Sequence, residues 1–124
     1  MTPRRLLRHR PPALLLASIV VRAATALECA SVPDGPWEWP RMLEGAAQTA
    51  GLLAGFQPDG PENTAVIAEY RDVHLHVERH PGPLRFHAVL ERRLLHFWRC
   101  RCEVRAPDGA LLLDGRITVS PEAA

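Results

Sequence analysis

Pro40-Arg-Met-Leu-Glu44-Gly-Ala-Ala-Gln48-Thr-Ala-Gly-Leu-Leu-Ala-Gly55 is a stretch with helical grammar in a chain otherwise patterned for strands. Proline stands at a first-turn position, where its missing N–H costs nothing, and Gly55 suits a C-terminal cap. Leu43, Ala47, Ala50 and Ala54 recur at helical spacing with Gly51 beside them, so a partner surface can approach this backbone closely. So many small side chains suit a helix that a strongly curved sheet wraps around. The spacing predicts one central helix over residues 40–55.

Outward from the helix, the period of the apolar residues changes to two, which is the mark of half-buried strands. Val73, Leu75 and Val77 alternate with His74 and His76 in a strand that starts near Ala65. Phe86, Ala88 and Leu90 alternate with Arg85, His87, Val89 and Glu91, which predicts a strand over 84–93. Residues 96–105 and 110–119 form two more, joined at Ala106-Pro107-Asp108-Gly109, where proline presets the turn and glycine supplies positive φ. Upstream of the helix, residues 14–22 and 24–32 read as strands. The linker from Phe56 to Asn63, with Pro58, Asp59, Gly60 and Pro61, is turn chemistry and is expected as an exposed loop. The resulting class is α+β: a curved antiparallel sheet wrapped around one central helix.

A chain of 124 residues fits a single domain over 1–124, with residues 1–12 a partly flexible basic segment carrying Arg4, Arg5, Arg8 and Arg10. Hydrophobic residues make up 47%, yet no uninterrupted apolar run reaches the roughly 20 residues of a membrane span. A net charge of +1 gives no basic face for nucleic acid. Cys29, Cys100 and Cys102 leave one thiol over in any pairing, which fits a reducing, cytoplasmic setting. The Arg-rich start, the apolar run 13–21 and Ala24-Thr25-Ala26 imitate a secretory signal; Arg22 and the Pro11-Pro12 pair fit a first strand better.

Three segments, in order along the chain, resemble the hot-dog-fold 3-hydroxyacyl-acyl-carrier-protein dehydratases. His9-Arg10-Pro11-Pro12-Ala13-Leu14-Leu15-Leu16 is similar to their opening His-Arg-x-Pro-x-Leu-Leu segment. Glu44-Gly45-Ala46-Ala47-Gln48-Thr49-Ala50-Gly51 resembles their helix motif, Glu-Ala-x-Ala-Gln-x-x-Gly. Val77-Glu78-Arg79-His80-Pro81-Gly82-Pro83-Leu84 resembles their Pro-Gly turn. The resemblance implies a hot-dog fold, an acyl thioester of acyl carrier protein or coenzyme A as substrate, no cofactor and no metal. It also implies a homodimer, or a heterodimer with another hot-dog subunit.

In that family a histidine on the loop before the helix removes the α-proton, and a helix acid of the other subunit protonates the departing 3-hydroxyl. Both are needed because the α-proton is weakly acidic and hydroxide leaves poorly. Glu44 matches the acid and is the expected catalytic residue. Trp39, Pro40 and Gln48 are expected at the substrate, and the first helical amides are expected to polarise the thioester carbonyl. The loop histidine is missing: between His9 and His74 the chain has none, and the loop reads Val32-Pro33-Asp34-Gly35-Pro36-Trp37-Glu38-Trp39-Pro40. His87 or His96 is a candidate substitute. His74 and His76, with His80 or the cysteines, lack the spacing of a metal site, and a solvated strand face is the expected reading. The functions that fit are dehydratase or dehydratase subunit in fatty acid, polyketide or aryl-polyene-type synthesis, hot-dog thioesterase, and non-catalytic hot-dog subunit.

Overall fold

The computed structural model describes residues 14–33, 35–61 and 65–121. The basic segment 1–12 and the start of the opening motif, His9 to Ala13, lie outside the described residues. Element order is β1 (Leu16–Arg22), β2 (Ala26–Ser31), β3 (Trp37–Glu38), α1 (Trp39–Gly55), β4 (Ala65–Leu75), β5 (Arg79–His80), β6 (Arg85–Leu94), β7 (Phe97–Arg105) and β8 (Leu111–Pro121). Six strands form one sheet in the order β1-β2-β6-β7-β8-β4, and β3 pairs with β5 in a separate two-stranded ribbon. Every pairing is antiparallel.

Alternation decides which face of each strand meets α1. Along β7, Trp98, Cys100, Cys102 and Val104 are buried while Arg99, Arg101 and Glu103 point outward. Along β8, Leu113, Gly115, Ile117 and Val119 turn to the helix. With Phe86 and Ala88 of β6, and Leu27 and Cys29 of β2, these residues form one floor for α1. The helix is buried on most sides, from Met42 through Ala54, as its alanines and glycines require. Gly45 is the closest point: a Cβ there would stand 2.4 Å from Cζ of Phe86, so only glycine lets the helix lie this deep.

The turn at Ala106–Gly109 forms as its chemistry dictates. Gly109 has φ of +92°, Ala106 donates its N–H to Ala110 O, and the Asp108 carboxylate accepts from Ala110 N–H. The loop after the helix is exposed at Pro58 and Asp59 but buries Pro61. One expectation needs correction. Val73 and Leu75 were expected to be half-buried, yet they are 37% and 41% exposed. The register breaks between Arg71 and His74, with Asp72 at positive φ (52°), and β4 is an edge strand with no strand beyond it among the described residues. The alternation survives, since Leu75 pairs with Leu113 on the helix side and His74 with Asp114 on the outer side. Burial fails because the edge is open.

Candidate functional site

Glu44 sits in the second turn of α1, half-buried, on the same helical stripe as Gly51 and Gly55, which are also only partly covered. One turn on, Gln48 is 2% exposed and fixes the local geometry. Its Oε1 accepts the Leu15 amide at 2.9 Å, which commits the carbonyl side of the amide to β1's approach. The NH2 group must then face the other way, and Nε2 donates to Glu44 Oε1 at 3.4 Å. A buried backbone N–H thus selects the orientation of the group that holds the carboxylate.

Tyr70 lies on the helix-facing side of edge strand β4, opposite Ile117. Burial pushes its hydroxyl above the usual range, and the negative charge of Glu44 adds to the effect. Tyr70, 43% exposed, is thus near enough to the helix for the charge of Glu44 to act on it. Tyr70 carries no signal in the sequence beyond being the chain's single tyrosine, and only the sheet order brings it to the helix.

The other expected site residues stand at the start of the same helix. Trp39 is 46% exposed and Pro40 is exposed, at the helix start and four to five residues before Glu44, which is about 6–8 Å along the axis. Pro40, one turn before Glu44, lies on the same helical stripe, and Trp39 precedes it. The expected cluster of first-turn amide donors is thin, because Trp39 N–H donates to Glu78 O and Pro40 has no N–H. In the loop before the helix, Trp37 is fully buried, edge-on to Phe86 with centroids 5.8 Å apart. Arg41 covers its ring at 4.0 Å, and its Nε1 has no hydrogen-bond partner among the described residues.

None of the described histidines is placed as the missing base. His87 is on the outer face of β6 between buried Phe86 and Ala88, and its Nε2 meets Glu28 at 2.7 Å, so the sheet separates it from α1. His96 sits in the β6–β7 turn. His80, on the strand paired with Trp37–Glu38, accepts the Gly82 amide at Nδ1, so its neutral form carries the proton on Nε2 and can donate there but not accept. His74 and His76 both bind Asp114, at 3.2 and 2.7 Å, on the outer face. No group of three or more His, Cys, Asp or Glu among the described residues is arranged to hold a metal ion.

The three cysteines are free and buried. Burial pushes Cys29 up to about 12 against the lowering effect of Thr49, and pushes Cys100 to about 12 and Cys102 well above its usual value. They are core thiols rather than nucleophiles, since reactivity requires the thiolate. Among the described residues no helix is long and apolar enough to cross a membrane.

No family model matches the sequence, and no curated protein does. Solved structures do. The chain is similar to a chain of the dehydratase heterocomplex ApeI:P of Xenorhabdus doucetiae, with TM-score 0.84 and 17% identity over 99% of this chain and 92% of that one. It is similar to zebrafish thioesterase superfamily member 2, with TM-score 0.78 and 11% identity over 96% and 92% of the two chains. A thioesterase family protein of Silicibacter pomeroyi gives TM-score 0.74 and 16% identity over 94% and 92%. With one helix seated in a curved antiparallel sheet, and with these neighbours, the chain has the hot-dog fold.

Proposed function

We propose that this chain is an acyl-thioester-binding subunit of a 3-hydroxyacyl-acyl-carrier-protein dehydratase, working in the cytoplasm with a second hot-dog subunit that brings the histidine. The observation that carries the reading is the Glu44–Gln48 pair on the partly open stripe of the central helix, with no described histidine placed to serve it. In its protonated form a carboxyl group of this kind can give a proton; it lacks the base for the other half of the reaction. In the proposed step the partner's histidine takes the α-proton, the C–O bond to the 3-hydroxyl breaks as the double bond forms, and Glu44 protonates the departing oxygen, releasing water. Gln48 is a positioning residue that points Glu44 outward along the helix. The likeness to a chain of a dehydratase heterocomplex supports an arrangement of two unlike subunits.

A second reading is a hot-dog thioesterase, in which Glu44 activates water or attacks the thioester itself and no histidine is required. The likeness to two thioesterases favours keeping it. One experiment separates the readings: the purified chain, alone and co-expressed with a histidine-bearing hot-dog partner, is incubated with a 3-hydroxyacyl-acyl carrier protein and analysed by mass spectrometry. Dehydration that needs the partner, and falls at least ~10²-fold in Glu44→Gln, supports the proposal, since that is a general-acid contribution. Release of the free carrier thiol by the chain alone establishes the thioesterase. An unchanged substrate in both samples sinks both catalytic readings.

A further inference from the structure

The face of the sheet turned away from α1 carries a cavity of about 300 Å³ lined by Glu69, Arg92, Leu94, Phe97, Arg99 and Thr118. Strand register explains why these residues meet. Glu69 lies opposite Thr118, Thr118 opposite Arg99, and Arg99 opposite Arg92, so one outward row crosses β4, β8, β7 and β6. Leu94 and Phe97 pair with each other at the end of the β6–β7 ladder and leave 40% and 43% of their surfaces exposed.

The charges of this row are unbalanced. Directly opposed residues on neighbouring strands hold their Cβ atoms about 4.5–5.5 Å apart, where like charges destabilise the pair. Most outward arginines nearby have an acid: Arg116 has Glu91 and Asp72, Arg85 has Glu28, Arg105 has Glu103. Arg92 and Arg99 have none among the described residues, nor has Arg101 one step further along β7. Glu69 lines the cavity but pairs with Arg71 at 3.4 Å. The Nε of Arg99 is buried and finds no acceptor among the described residues. Two opposed guanidiniums, one with a desolvated and unsatisfied N–H, form a setting that an anion completes.

We propose that this cavity binds a small organic phosphate. The phosphate lies between Arg92 and Arg99, whose planar forks match its oxygens, and Thr118 offers a hydroxyl. A flat apolar or aromatic portion lies on Phe97 and Leu94. The volume is at the small end of ligand pockets, so a nucleoside monophosphate is the right size class. The site is on the opposite side of the sheet from Glu44 and stands whether or not the acyl-thioester reading does.

Isothermal titration of the full chain with adenosine 5′-monophosphate, adenosine and inorganic phosphate tests this without any turnover. The expected result is that the monophosphate binds, adenosine binds more weakly, and added salt weakens the monophosphate. Arg92→Met and Arg99→Met should each lower its affinity by about tenfold or more, the loss of a charge-assisted bond pair. If Arg99→Met fails to fold by circular dichroism, Arg99→Lys keeps the charge without the fork and should still weaken binding. The exposed Phe97→Ser change reads the apolar half and should also weaken it. No binding of the monophosphate at about 1 mM overturns the proposal. So does binding that both arginine variants leave unchanged, or inorganic phosphate binding as tightly as the monophosphate.

Discussion

Replacing Gly45 by alanine asks how tightly the helix is seated. A Cβ at this position would stand 2.4, 2.5 and 3.0 Å from Cζ, Cε1 and Cε2 of Phe86, whereas carbon atoms settle about 3.5–4.0 Å apart. About 1 Å must therefore be found by the helix or the ring. The ring has no free space: Phe86 is fully buried and edge-packed on Trp37, itself fully buried. Overpacking of this kind costs about 1–3 kcal/mol, and the helix propensity gained over glycine returns at most about 1 kcal/mol. The net expectation is a loss of about 1–2 kcal/mol, or roughly 3–10 °C in Tm for a chain of this size. Calorimetry of Gly45→Ala, Phe86→Leu and the double variant is the assay. Phe86→Leu alone creates a cavity; in the Gly45→Ala background it makes room, so the two changes should couple by about 1 kcal/mol or more. A Gly45→Ala protein that melts higher than the parent, with additive effects in the double variant, refutes the close approach.

Gln48→Leu leaves the buried Leu15 amide without its acceptor and should cost about 1–3 kcal/mol in denaturant unfolding; an unchanged midpoint would mean that the bond contributes nothing. At Asp114, burial pushes the carboxyl up, but the hydrogen bonds and charges of His76 and His74 outweigh it and hold the group below its ordinary value of 3.8. A lowered folded-state value adds stability above 3.8 that is lost as pH falls below it, so Asp114→Asn should be the less stable protein at pH 5–6 with the gap closing under acid. A gap that widens on acidification contradicts this. The open edge of β4, with Val73 and Leu75 exposed, should pair with a second chain; light scattering at micromolar concentration should show a dimer that Leu75→Lys disrupts, and a parent monomer would sink the idea.

What the sequence revealed, it revealed through periodicity. The helix spans Trp39–Gly55 against an expected 40–55 because small residues at helical spacing cannot serve any other element here. The large strands follow for the same reason, with ends displaced by at most two residues. Two features were out of reach. Trp37–Glu38 and Arg79–His80 pair over two residues each, too short for a period to register, although they hold the helix start through Glu78 O and Trp39 N–H. The exposure of Val73 and Leu75 depends on strand order, which alternation does not encode: a residue on the helix side of an edge strand looks the same in sequence as one in the middle. At the site, Glu44 and Gln48 were legible from their motif and i,i+4 spacing. Tyr70 was not, since it arrives from the far end of the sheet order. Pro40 stands one turn before Glu44, at the i,i+4 spacing that also relates Gln48 to it, while Trp39 opens the helix 46% exposed.

Gln48 links these levels, and its wiring has a direction. The Leu15 amide needs an acceptor because it is buried, and β1 cannot supply one at that point, so the Gln48 carbonyl is claimed from the sheet side. An amide with its oxygen claimed has only donors left to present, and these meet Glu44. The orientation of the carboxylate is then set by whether the first strand is in place, not by the helix alone. That gives physical weight to reading residues 14–22 as a strand: the backbone N–H at its approach holds the Gln48 amide in the orientation that presents a donor to Glu44.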